Sequence, residues 1–156
     1  MKQSKIALIG AVLVLQGILC GCFVRESATV KDSLGTPITV KGSATRIVST
    51  IPSNTEILYA LGLKDRVVGV TKYCAKTSDT TGKTVIGGWI DPDLEQIRKL
   101  KPDLIFAFGG KQKRLHDEFR RIAPTFCFEP TTVESTFQAI RGIGQLTRCD
   151  EKAEAI

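Results

Sequence analysis

The stretch 87–108, Gly-Gly-Trp-Ile-Asp-Pro-Asp-Leu-Glu-Gln-Ile through Lys-Pro-Asp-Leu-Ile-Phe-Ala-Phe, constrains the fold most, because each of its boundaries has a physical cause. It reads as a loop, a helix, a tight turn and a buried strand. Asp91 is placed to cap the helix, and Pro92 at the first helical position gives up only an amide that would be orphaned anyway. Asp93 and Glu95 bring negative charge to the first turn, where the macrodipole favours it. Leu94, Ile97 and Leu100 recur every three residues and bury one stripe. Pro102 turns Lys101 out of helical geometry. The run 104–108 is continuously apolar, as in a strand covered on both faces of a parallel sheet.

The rest of the chain repeats this alternation. Strands are expected at 46–49, 66–71 and 125–128; in the last, Phe126 and Phe128 share one face and Cys127 takes the other. Pro52 opens a helix in which Ser53 and Glu56 have capping-box spacing, Ile57, Leu58 and Leu61 form the buried stripe, and Gly62 closes the element. A helix over 111–122 carries Leu115, Phe119 and Ile122 inward and stops at Pro124. Thr131 and Glu134 again have capping-box spacing, before a helix with Phe137, Ile140, Ile143 and Leu146, and Asp150 is placed to cap a final segment, 151–156. Residues 29–40 alternate around a turn at 32–36 and predict a β-hairpin. The fold class is α/β, a single three-layer lobe whose mostly parallel sheet is flanked by helices.

Lys2 and Lys5 precede an apolar segment, 6–19, that is short for a membrane span and matches an export signal. It ends Leu-Cys-Gly-Cys, where Leu19 three residues before Cys22 and Gly21 immediately before it resemble the box cut by the lipoprotein signal peptidase. Cys22 is then the acylated first residue, which anchors the chain to a membrane outside the cytoplasm. Losing residues 1–21 removes two lysines and takes the net charge from +6 to +4. The remaining basic residues are scattered, without the aromatic-interleaved stripe that nucleic acid would want. Of five cysteines, Cys74, Cys127 and Cys149 remain once Cys22 and the signal are set aside. A Cys74–Cys127 disulfide and buried free thiols both fit the sequence. A zinc or other metal site is not expected, because there is one histidine, His116, and no Cys-x-x-Cys. His116 is placed on the polar side of its helix, solvated and not catalytic. No dinucleotide fingerprint, phosphate loop or Gly-x-Ser-x-Gly occurs, so neither an enzyme nor a cofactor is expected.

Tyr73, Trp89 and Phe108 all fall in loops at strand ends, in a chain with only 6% aromatic residues. Ligands of α/β layers occupy the crevice beyond those ends. Three phrases also carry a family likeness: Arg46-Ile-Val-Ser-Thr-Ile-Pro-Ser-Asn-Thr-Glu-Ile-Leu-Tyr-Ala-Leu-Gly62, Val67-Val-Gly-Val-Thr71, and Asp93-Leu-Glu-Gln-Ile97 followed by Lys101-Pro-Asp-Leu-Ile105. They resemble the substrate-binding proteins of ABC importers for cobalamin, ferric siderophores and haem, over roughly residues 29–156. The resemblance implies a monomer that captures cobalamin or an iron complex and delivers it to a membrane permease. It implies ligand contacts from Pro52, Asn54, Tyr73, Trp89 and Phe108, with Glu95 on the outer face docking to the permease. It also implies two lobes joined by a long helix. The expected layout is therefore a signal at 1–21, a tether at 22–28, the N-terminal lobe at 29–148 and the start of the connecting helix at 149–156, a truncated form without its second lobe. A surface lipoprotein scaffold or adhesin, and a small α/β enzyme, are the alternative classes.

Overall fold

The computed structural model describes residues 27–110 and 113–156; the expected signal, Cys22 and most of the tether lie outside them. A hairpin, β1 (Ser27–Lys31) and β2 (Pro37–Lys41), comes first, so Ser27 and Ala28 are strand residues and not tether. There follow β3 (Ile47–Ser49), α1 (Pro52–Ala60), β4 (Val67–Val70), β5 (Thr84–Val85), α2 (Leu94–Lys99), β6 (Leu104–Phe108), α3 (His116–Arg120), β7 (Thr125–Phe128), α4 (Val133–Thr147) and α5 (Asp150–Glu154). The strands β5-β4-β3-β6-β7 form one sheet in that order, every pairing parallel.

Alternation along the strands builds two cores. Leu104, Phe106, Phe126 and Phe128 point to the face covered by α1 and α4. Ile105, Ala107 and Cys127 point to the other face, against Ile97 of α2 and Phe119 of α3. The hairpin closes the first core with Ala28, Ile38 and Val40. From β3 the chain leaves through α1 toward β4 and β5, then returns through α2 to place β6 on the opposite side of β3. The crevice beyond the ends of β3 and β6 is thus a topological switch point.

Several local expectations shift. Asp93, not Asp91, caps α2 by accepting from Gln96 N at 2.9 Å. Pro92 lies before the helix, in an isolated bridge with Gly87. Lys101 takes a left-handed φ of 46°, closing α2 at the position glycine usually fills. Ser53 makes no cap, because Ile51 occupies the cap position of α1. Thr132 and Ser135, one residue along from the expected pair, form the capping box of α4. Cys149, not Asp150, holds the cap position of α5. Of the helix expected over 111–122, the described part is a 3-10 turn, Lys113–Leu115, running into the short α3. The two-residue edge strand β5 was hidden by its brevity.

The disulfide alternative is corrected. Cys74 and Cys127 are free and buried in separate cores, with the sheet between them. Cys74 Sγ instead lies 3.3 Å from Thr55 Oγ1 and 3.4 Å from Thr71 Oγ1. Burial, with the Asp32 carboxylate adding to it, pushes the Cys127 thiol from 9.0 up to about 12. The folded state therefore holds this proton where the unfolded chain loses it, so stability falls as pH rises above about 9. In urea melts, Cys127→Ala should flatten that alkaline slope, and iodoacetamide at pH 8.5 should label Cys127 only after unfolding. Labelling of the native protein at Cys127 would contradict this burial.

Candidate ligand-binding crevice

Four of the five expected contact residues come together. Pro52, Tyr73, Trp89 and Phe108, with Ile51, line an apolar depression of about 340 Å³. Each wall arrives from a different strand end. Ile51 and Pro52 follow β3, Tyr73 follows β4, Trp89 follows β5, and Phe108 is the last residue of β6. Sequence reasoning missed Ile51, although its place in the β3–α1 loop was a signal. Asn54 does not join the wall. Two helical steps turn it roughly 200° from Pro52, and it is fully buried with neither its amide nitrogen nor its oxygen paired.

Trp89 is held by its loop. Ile86 N donates to Val70 O at 2.9 Å, Lys72 N to Gly87 O at 3.0 Å and Asp93 N to Ile86 O at 2.9 Å, so both ends of the loop are tied. Gly87 has a φ of 86°, and a Cβ there would sit 2.9 Å from Asp91 O. The bend that presents Trp89 thus needs a residue without a side chain.

Phe108 has a support that the sequence did not reveal. His116 is 3% exposed, not solvated, because α3 starts at His116 and buries its ring together with Phe119. Its Nε2 lies 3.1 Å from Phe108 O. A carbonyl can only accept, so Nε2 carries the proton and donates. Tyr73 is flanked by Lys72 Nζ at 5.3 Å and Lys76 Nζ at 5.8 Å from its ring centroid. Glu95 is distant in character, a solvent-facing charge in the first turn of α2, paired with Lys99 at 2.9 Å.

A larger recess of about 560 Å³ lies where the hairpin turn meets β7 and α4, but its walls mix Lys31, Asp32, Glu129 and Ser135. A depression walled by carbon alone at the switch point suits a flat guest better. Among the described residues, no three metal-ligating side chains converge.

The model of the periplasmic binding protein family matches residues 47–156, which include every wall of this depression. The chain belongs to that family. Among its periplasmic binding protein relatives is the uncharacterized ABC transporter substrate-binding lipoprotein YvrC of Bacillus subtilis, 32% identical over 137 residues, 82% of this chain and 42% of the relative. The vitamin B12-binding protein of Yersinia pestis is 32% identical over 113 residues, 71% of this chain and 40% of the relative. The solved petrobactin-binding protein YclQ of Bacillus subtilis superposes with a TM-score of 0.74 at 27% identity, covering 83% of this chain and 48% of that one. The chain thus spans about two-fifths of the length of these curated relatives.

Proposed function

We propose that this chain supplies the N-terminal face of an extracytoplasmic solute-binding component of an ABC importer, held to the membrane through Cys22. The guest is cobalamin or an iron complex, a ferric siderophore or haem, and it is passed to the permease. The observation carrying the reading is the depression at the switch point, walled by Tyr73, Trp89, Phe108 and Pro52. Flat rings bury a planar guest at small entropic cost, and the tied loop of Trp89 reduces the ordering that binding must supply. Protein isolated from its native membrane should carry the visible absorption of a corrinoid or an iron chelate; isolation with no chromophore, and no uptake defect on deleting its gene, would remove the reading.

Glu95 has the exposure a docking charge needs, and helix-start support for α2 is compatible with that role. An exposed charge of this kind sets register and on-rate more than affinity. Glu95→Arg should therefore slow association with permease in reconstituted vesicles about tenfold at low salt while ligand affinity stays unchanged. Equal association rates for the two proteins would take Glu95 out of the interface.

A further inference from the structure

One buried hydroxyl joins two of the segments that wall the crevice. Thr55, in α1, is fully buried. Its Oγ1 donates toward Ser49 Oγ at 2.8 Å, Ile51 O at 3.2 Å and Cys74 Sγ at 3.3 Å. Ser49 is the last residue of β3, and its own Oγ donates to Ile51 O at 3.2 Å. Cys74 opens the 3-10 turn Cys74–Lys76, immediately after Tyr73, and its Sγ lies 3.4 Å from Thr71 Oγ1. Ser49, Thr71 and Cys74 are as fully buried as Thr55. The hydroxyl therefore stands between the loop that carries Ile51 and Pro52 and the loop that carries Tyr73, each of which supplies walls of the depression.

A threonine inside a helix often returns its proton to the carbonyl four residues back. Thr147 of α4 does so, with Oγ1 2.7 Å from Ile143 O. Thr55 differs, because its shortest contact crosses to β3 and its longest to the turn after Tyr73. A valine has nearly the same shape and would fill this buried site without a polar group to satisfy. Resting on the reading of the depression as the ligand face, we infer that Thr55 is a positioning residue for the guest. Through Cys74, its hydroxyl holds the Tyr73 wall at a fixed spacing from the Ile51–Pro52 wall. Thr55 is fully buried and touches no guest itself. It lowers the ordering that binding must supply on the Tyr73 side, as the backbone bonds of Ile86, Gly87 and Asp93 do on the Trp89 side.

The test compares Thr55→Val, which deletes the hydroxyl at nearly constant shape, with Thr55→Ser, which keeps it. Thr147→Val is the control, since it deletes a buried hydroxyl bonded within its own helix. Two readouts are taken on the full chain: amide hydrogen exchange without ligand, and equilibrium dialysis against a carboxylate-bearing iron porphyrin and against cyanocobalamin. Thr55→Val should speed exchange of the Cys74, Thr77 and Ser78 amides, which bond Thr71 O and Cys74 O, about fivefold. It should weaken whichever probe binds by about the same factor, the worth of one neutral hydrogen bond. Thr55→Ser and Thr147→Val should leave both readouts within about twofold of wild type. Cys74→Ala removes the tie from its other end, should match Thr55→Val in affinity, and carries the comparison should Thr55→Val not fold. The double variant should bind no more weakly than either single one, because both act through one contact. Unchanged exchange in Thr55→Val, faster exchange with unchanged affinity, an equal loss in Thr147→Val, or a serine variant that behaves like the valine one would overturn the inference. Absence of saturable binding of either probe to the wild type up to about 1 mM would instead count against the crevice itself, and the exchange rates would still decide whether Thr55 ties the two walls.

Discussion

Trp89→Ala should weaken binding of the ring ligand about thirtyfold, and Phe108→Ala by a similar factor, with the far-UV circular dichroism of both variants unchanged. Each substitution strips an aromatic face from the depression. Losing on the order of 80 Å² of apolar contact costs about 2 kcal/mol, which is about thirtyfold in affinity. Trp89→Phe should keep most of the affinity, since a ring remains on a loop that Gly87 and Asp93 hold in place. The fold should not respond, because both side chains are half-buried at strand ends and belong to neither core. Full affinity in both alanine variants would mean that the ligand lies elsewhere.

Asp32→Ala should have the largest effect on stability, lowering it by about 3 kcal/mol and the urea midpoint by more than about 1 M. The Asp32 side chain is buried in the hairpin turn, where Oδ1 accepts from Leu34 N at 2.9 Å and from Thr36 N at 2.8 Å. Its Oδ2 accepts from Cys127 N at 3.3 Å and lies 3.7 Å from Arg120 Nη2. One carboxylate thus shapes the turn, fixes the hairpin to β7 and neutralises a half-buried arginine from α3. Removing it leaves three amides without their acceptor and Arg120 with only the exposed Asp117, at 3.7 Å, as a carboxylate partner, and a buried donor left unpaired costs more than the bond was worth. Asp32→Asn should lose about half as much, because its oxygen still accepts while the charge is gone. An unchanged urea midpoint for Asp32→Ala would show the hairpin to be energetically separate from the sheet.

The difference between these two sites explains what was legible beforehand. β6 and β7 begin and end where the apolar runs do, because hydrophobic periodicity is local and backbone pairing follows it. Tyr73, Trp89 and Phe108 were legible for the same reason: a strand end is a local event, and a parallel sheet brings all its carboxyl ends to one rim. Asp32 was read only as part of a turn, since the Cys127 amide it holds is 95 residues away. Periodicity over 111–122 puts His116 on the polar side, whereas α3 starts at His116 and turns the ring inward. Asn54 was placed in the wall by the likeness of its loop to the family, whereas the geometry of α1 turns it away from Pro52. The caps moved by one or two residues for a simpler reason: several polar side chains near each helix start can accept the same amide, and packing selects among them.

Trp89 is the chain's one tryptophan, so its emission reports on the crevice alone. Titrating the protein with a carboxylate-bearing iron porphyrin, and in parallel with cyanocobalamin, follows that emission while dialysis measures the bound fraction, with free N-acetyltryptophanamide correcting for absorbance. Quenching that saturates along the same curve as the bound fraction, and disappears when the ligand is dialysed away, is the predicted result. Saturable binding with Trp89 emission unmoved would place the guest away from the aromatic rim and contradict the assignment.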